Sequence, residues 1–432
     1  MSNFGNLDYI KYFEPHFALN ILEFLLKNNQ NNEELKNLYN NFLSNSQEYE
    51  KIKENKILNE DKINELKEKN NKEIEELENN LKGFLNLCDK CQKQNKFDLN
   101  SFSFGKKIID ETNPQIILQY CKKLFDNNSY DKAKNILNAF YEFNKEINKN
   151  HSKNIYSLYL LYLINIITKE DSKIIEKNFI KILNELDNLK IVFDEEFKKI
   201  NFDSVEKNNI DFKQILLYRG YIIHWALFLL ENNNIELFLT TLFNDNYYIM
   251  IENVFTYIFK YIIVFSIISK SKKFIKKINE SIDNYENYFE KDDKFFNLFK
   301  EMFIEFDIKN SILALNECKN IMKNDYFLYN YVTLFENKCK ETLIENYIII
   351  NEKINFSDFI ELFENDINKT KEYIKNLIKR TYPLALIKDI NDNEIEYELD
   401  KNDIQLFYNI KTNELYNLTS NMINYLNINS KK

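Results

Sequence analysis

Cys88 and Cys91 are the only closely spaced cysteines in the chain. A Cys-x-x-Cys pair supplies half of a tetrahedral zinc site, or a redox dithiol where a strand meets a helix. Neither arrangement is completed here. Cys121, Cys318 and Cys339 stand alone, and the surrounding sequence reads as helix. The histidines, His16, His151 and His224, share no motif. A general base needs a nucleophile or an acid within hydrogen-bond reach, and none is visible for His224. His224 and Trp225 lie inside the apolar run ILLYRGYIIHWALFLL (215–230), where packing is the expected role. Phosphate-binding, dinucleotide, zinc-protease and nucleophile-elbow motifs are missing. The carboxylates scatter as on solvated helix faces. The expected chemistry is therefore none: no catalytic residues, no metal and no cofactor.

Such residues matter only through the elements that carry them, and composition says what those elements are. Of 432 residues only 3 are proline and 4 glycine, so long helices meet few breakers. The hydrophobic fraction of 44% is ordinary for a globular chain, and the length exceeds what one core usually holds. A net charge of −9 argues against a dominant nucleic-acid binder, which carries a concentrated basic field. Five scattered cysteines give no disulfide framework and suit a reducing compartment. The opening MSNFGNLDYIKYF lacks a basic and then apolar leader pattern. The longest apolar runs, 156–167 and 256–268, fall short of the roughly 20 residues of a membrane span. They read as buried helices.

Residues 8–27 form a short amphipathic region with Pro15 near its start. Ile63, Leu66, Ile74, Leu77 and Leu81 make a thin apolar stripe on a long polar helix, interrupted at Asn70. From about 114 to 345, apolar helical patterns follow one another across short breaks such as DNNS and ENNN. Turns this short join antiparallel neighbours, and stacked pairs of this kind build a helical-repeat solenoid. After 345 the pattern changes. INFSDFIELF (354–363) reads as a strand followed by a helix capped at Ser357. Residues 365–380 read as a second helix with Ile367, Ile374, Leu377 and Ile378 buried. LALIKDI and EIEYEL flank a tight turn at Asn391–Asn393, as in a β-hairpin. Helix, helix and hairpin together make a winged-helix pattern.

The fold class is thus mostly α, a solenoid followed by a winged helix. The expected divisions are 1–100, a helical region with a long polar helix; 101–345, the repeat array; 346–403, the winged module; and 404–432, a terminal helix and tail. In the hairpin, Leu384, Leu386 and Ile390 alternate against Ile395, Tyr397 and Leu399, and Leu386 and Tyr397 are the side chains expected to dock a partner. In the tail, Leu415, Leu418, Met422 and Leu426 fall on one helical stripe and are expected to meet sister subunits or the winged domain.

Several segments carry a family likeness. YRGYIIHWALFLLENNNIELFLTTLF (218–243) resembles the E-subunit family of eukaryotic translation initiation factor 3, with Ile223, His224, Trp225, Ala226, Leu227 and Phe228 at its Ile-His-Trp core. Residues 306–354 resemble the segment leading into the family's last domain, with Glu317, Cys318, Asn324, Asp325, Tyr326, Phe327 and Leu328 in the matching places. FEPHFALNILEFL (13–25) resembles the family's opening, while 146–210 diverges. The resemblance implies a helical array joined to a winged helix, together called a PCI domain. Subunits of the proteasome lid and the COP9 signalosome share that architecture and are the alternative. It further implies a non-catalytic scaffold in the cytoplasm. The implied partners are the other subunits of the factor and the small ribosomal subunit, with RNA contact at most peripheral and no membrane.

Overall fold

Helices need ends, and a chain with few glycines must end them with other residues. The computed structural model describes residues 7–94, 113–147, 151–187, 210–285, 293–351, 353–382, 385–391 and 393–399. Among these, Asn128, Lys169 and Asn233 take the left-handed conformation just after helices, with φ of 59°, 53° and 57°. Asparagine tolerates this region better than most side chains. At the DNNS break, Asn128 N–H reaches the Phe125 carbonyl and Ser129 N–H reaches that of Leu124. At ENNN, Asn233 and Asn234 repeat the pattern onto Leu230 and Leu229. These paired bonds satisfy the last carbonyls of each helix.

The chain divides into two compact units, Met1–Ile258 and Phe259–Lys432. That division falls inside the stretch expected to be one array. The first unit opens with a 3₁₀ turn, Leu7–Tyr12, followed by α1 (Pro15–Asn28), α2 (Glu33–Ser44), α3 (Tyr49–Glu54) and α4 (Glu60–Gln94). It continues with α5 (Pro114–Asp126), α6 (Tyr130–Ile147), α7 (His151–Ile167) and α8 (Ser172–Asp187). Its last helices are α9 (Ile210–Trp225), α10 (Phe228–Glu231), α11 (Ile235–Leu242) and α12 (Asp245–Asn253). Successive helices pack in pairs, α1 on α2, α5 on α6, α6 on α7 and α7 on α8. Helix α7 lies against both α6 and α8, which is why YSLYLLYLINII is apolar nearly all round. No single described helix is long and apolar enough to cross a membrane.

The long polar helix α4 packs on α5 and α6. Asn70, the polar gap in its stripe, is buried. Its carboxamide donates to Gln47 Oε1 at 3.0 Å and to Asn127 Oδ1 at 2.8 Å. A buried amide needs such partners, so the gap is a polar seat within the apolar stripe. The 215–230 run does not form one helix. It turns tightly at Ala226 and Leu227, where Leu227 N–H bonds the carbonyl of His224 three residues back.

The second unit contains α13 (Phe259–Ser269), α14 (Lys272–Tyr285) and α15 (Lys294–Lys300), which runs into a π turn, Glu301–Glu305. Then come α16 (Ile308–Lys323) and α17 (Val332–Ile350). The winged module follows as β1 (Lys353–Asn355), α18 (Ile367–Thr381), β2 (Leu386–Ile390) and β3 (Glu394–Glu398). Its sheet has the order β1-β3-β2, antiparallel throughout. The mostly helical array and the terminal winged helix thus both form.

The module corrects several local expectations. Ser357 starts no α-helix; 3₁₀ turns Phe356–Asp358 and Ile360–Phe363 fill that place, ended by Glu364 and Asn365 at positive φ. Ile367 is exposed, and Thr370 takes the buried position one turn later. The hairpin's alternation is broken by a bulge between Ile387 and Asp389. An extra residue shifts every side chain beyond it by one face. Ile387 and Ile390 therefore sit opposite Tyr397 and Ile395, and Leu386 pairs with Glu398 at the exposed end.

Candidate functional site

The His224 and Trp225 segment lies in the core of the first unit. Ile223, Leu227 and Phe228 are buried beside it. His224 Nδ1 lies 2.6 Å from the Gly220 carbonyl, and Nε2 contacts the Tyr257 hydroxyl. A carbonyl only accepts, so Nδ1 carries the proton and Tyr257 donates to Nε2. Burial pushes the pKa of His224 down to about 4, against the Gly220 bond. The ring is therefore neutral near pH 7, with both nitrogens satisfied. Tyr12 stacks on it at 4.2 Å, and Phe255 meets it edge-on. Gly220 permits that approach, since a Cβ there would lie 3.3 Å from the Phe255 ring. Trp225 stacks between Tyr159 at 3.8 Å and Tyr221 at 5.5 Å. Its Nε1 is buried without a hydrogen-bond partner among the described residues. This geometry supports packing.

Asp325 organises the second motif. Its Oδ1 accepts the N–H groups of Phe327 at 3.0 Å and Leu328 at 3.3 Å. Its Oδ2 accepts the Tyr261 hydroxyl at 2.9 Å and pairs with Lys260 at 2.7 Å. One carboxylate thus fastens the turn between α16 and α17 to α13. Phe327 and Leu328 are buried, and Asn324 is exposed at the end of α16. Cys318 is buried, with its thiol on the Lys294 carbonyl.

In the winged module the two expected docking residues part company. Leu386 is 67% exposed, whereas Tyr397 is 2% exposed. The Tyr397 hydroxyl donates to the Ile348 carbonyl at 2.9 Å and also meets that of Asn351. Tyr397 is therefore a core residue that ties β3 to the end of α17, and it is not available to a partner. Leu415, Leu418, Met422 and Leu426 lie outside the described residues.

Sequence reading missed an ionic hub at Glu341 on α17. It pairs with Lys270 at 2.9 Å, with Lys338 at 3.0 Å, and with Arg380 of α18. Only Lys338 is near in sequence, so no local pattern announces the hub. Burial opposes the charge of Glu341, but the bonds from Lys270 and Lys338 prevail and lower its pKa to about 2. A depressed carboxylate pKa adds stability above the unfolded value, here about 4.5, that is lost as pH falls through the folded one. Melting temperature is expected to fall between about pH 4.5 and pH 2, and less steeply in Glu341→Gln. Parallel slopes in the two proteins would refute this.

A second missed cluster joins Glu14, His16 and Asp126, whose polar atoms gather within 4.8 Å. Such a trio has the right donors for a metal ion. Here Lys122 already bridges it, 2.7 Å from Glu14 and bonded to Asp126. Its ammonium offsets part of the carboxylate charge, and His16 also pairs with Glu14, so the cluster reads as an internal ion network. Burial opposes the charge on Glu14 and on His16, but their mutual contact and neighbouring charges prevail. The pKa of Glu14 is lowered and that of His16 raised. Cys88 and Cys121 are buried thiols, and burial pushes the Cys121 thiol up, away from the reactive thiolate.

No family model matches the chain. Curated proteins do. A protein of Yarrowia lipolytica is 21% identical over 231 residues, which is 51% of this chain and 52% of its own length. One of Phaeosphaeria nodorum is 27% identical over 207 residues, 43% and 47% of the two chains. One of Dictyostelium discoideum is 22% identical over 327 residues, 73% and 58%. All three are named as the E subunit of eukaryotic translation initiation factor 3.

This chain resembles the E subunit of translation initiation factor 3. It spans about half the length of the curated relatives it matches. The residues that first carried the likeness to the E subunit, around His224 and around Asp325, hold the cores of the two units separately.

Proposed function

We propose that this chain is a non-catalytic scaffold subunit of a translation initiation factor 3 complex in the cytoplasm. It would help hold that complex on the small ribosomal subunit while messenger RNA is recruited. The observation that carries this reading is the likeness to the E subunit in fungi and Dictyostelium. Helix pairs and a terminal winged helix suit extended docking surfaces. Leu386 supports a docking role for the hairpin: it is a large apolar side chain left open at one edge of a small sheet. The tail stripe of Leu415, Leu418, Met422 and Leu426 is a second proposed contact, on sequence grounds alone.

The test is affinity purification of the tagged chain from its own cells at moderate salt. Other initiation factor 3 subunits and small ribosomal proteins are expected to co-purify. Recovery of proteasome-lid or signalosome subunits in their place would sink the proposal. Within the same assay, Leu386→Asp is expected to reduce recovery of partner subunits several-fold and to leave the melting temperature within about 2 °C, as for an exposed side chain. Deleting 410–432 should likewise weaken recovery. Undiminished recovery with both changes would remove the hairpin edge and the tail as contacts.

A further inference from the structure

His16, at the start of α1, lies where three helices meet. Its ring meets that of Phe125 of α5 edge-to-face at 5.2 Å, and Glu48, just before α3, faces it. The His16 side chain is 10% exposed and that of Glu14 3%. Nδ1 lies 2.9 Å from Glu14 Oε2, and Nε2 lies 3.4 Å from Glu48 Oε1. Both ring nitrogens therefore face carboxylate oxygens. An ionised carboxylate only accepts, and a neutral imidazole donates from one nitrogen alone. Without its second proton the ring turns a lone pair toward one of the two carboxylates, and only the imidazolium suits both. Charge balance points the same way. Glu14, Glu48 and Asp126 all act on this ring, while Lys122 bonds Glu14 and Asp126. Protonated His16 is the second cation, and it is the one that faces Glu48.

We propose that the junction of α1 with α5 is a pH-sensitive latch, held shut by the imidazolium of His16 and loosened when that ring loses its proton. Imidazole is the side chain that ordinarily changes charge near neutral pH. Burial opposes the charge of His16, but the contacts with Glu14, Glu48 and Asp126 prevail and raise its pKa above the ordinary 6.5. The folded chain thus binds this proton more tightly than the unfolded chain does. The stability gained is full below pH 6.5 and is lost as pH rises through the folded value. Burial holds the phenols of Tyr49, Tyr130 and Tyr156, which surround the same carboxylates, above their ordinary range, so they stay neutral there. Burial opposes the charge of Lys122 too, but Glu14 and Asp126 prevail and keep it charged. Asp126 is itself raised by burial, against the pull of Lys122. His224 also borders α1, against Phe13, and with its pKa at about 4 it does not titrate in this range. That aromatic seam, together with Phe17 on Phe228, keeps α1 seated when the latch loosens, so the change is local. The latch belongs to this chain alone and does not depend on the proposed assembly.

Hydrogen exchange of the full chain, corrected for the intrinsic effect of pH on amide exchange, reads the opening of α1 separately from the rest. Between about pH 6 and about pH 8.5, protection of α1 amides is expected to fall several-fold, while that of α16 in the second unit changes less than about twofold. His16→Gln, neutral at every pH, should hold α1 at the weaker level throughout. Carbon-13 NMR of the histidine rings gives the midpoint directly, with the His16 signal identified by its loss in His16→Gln. That midpoint is expected above 6.5. Glu48→Gln removes one attracting carboxylate and should move both the midpoint and the exchange transition to lower pH. If His16→Gln fails to fold, Glu48→Gln in the otherwise intact chain decides. Four outcomes overturn the proposal: a His16 midpoint at or below 6.5, α1 protection that does not vary with pH, a midpoint unmoved by Glu48→Gln, or a pH dependence that survives in His16→Gln. The last would assign the transition to Asp126.

Discussion

Replacing Trp225 with alanine is expected to destabilise the first unit by about 3–5 kcal/mol, the usual cost of deleting a large buried aromatic. The loss comes from the stack with Tyr159 and Tyr221 and from the cavity left in a core that also holds Ile223 and Phe228. No hydrogen bond of the indole N–H enters this figure, since Nε1 has no partner among the described residues. Trp225→Phe keeps a ring in the stack and leaves a smaller cavity, so it should cost clearly less than the alanine change. Urea unfolding of the full chain, followed by circular dichroism, measures both. A loss below about 1 kcal/mol for the alanine variant would show that the stack is not part of the core. A loss for phenylalanine as large as for alanine would show that the stacked ring is not what stabilises the site.

Asp325→Ala is expected to cost the second unit about 3 kcal/mol. The change leaves the buried Tyr261 hydroxyl and the N–H groups of Phe327 and Leu328 without their acceptor. Unsatisfied buried groups cost about 1–3 kcal/mol each before relaxation. Lys260 adds little, because its partly exposed ammonium can return to water. Asparagine keeps an oxygen for the two N–H groups and loses the charge, so Asp325→Asn should cost about 1–2 kcal/mol. Thermal melts of the two variants decide the matter. Equal losses would mean that the ion pair dominates, and no loss in either would mean that the turn is held by its apolar residues alone.

Helical class was legible because it follows from local terms. Scarce glycine and proline, and apolar residues at spacings of three and four, favour helices whatever their neighbours. The asparagine breaks were legible for a similar reason, since the left-handed helix end at Asn128 or Asn233 is made by a few adjacent residues. The hairpin is legible from alternation, and both of its strands form.

Other features depended on residues far apart in sequence. The bulge at Ile387 to Asp389 broke the alternation of β2, where Leu386 is exposed, while Tyr397 of β3 enters the core against the end of α17. Alternation alone does not reveal an inserted residue. Asn70 looked like a gap because its partners, Gln47 and Asn127, belong to other segments. The Glu341 hub needs Lys270 and Arg380 brought to α17. By itself the sequence determined that this protein would be a chain of helices with a terminal winged module, because backbone preference and periodic burial act over a few residues. Only the tertiary structure decided which polar groups became internal partners and which apolar side chains were left exposed, because burial and Coulomb attraction act between whichever groups the fold places within a few ångströms.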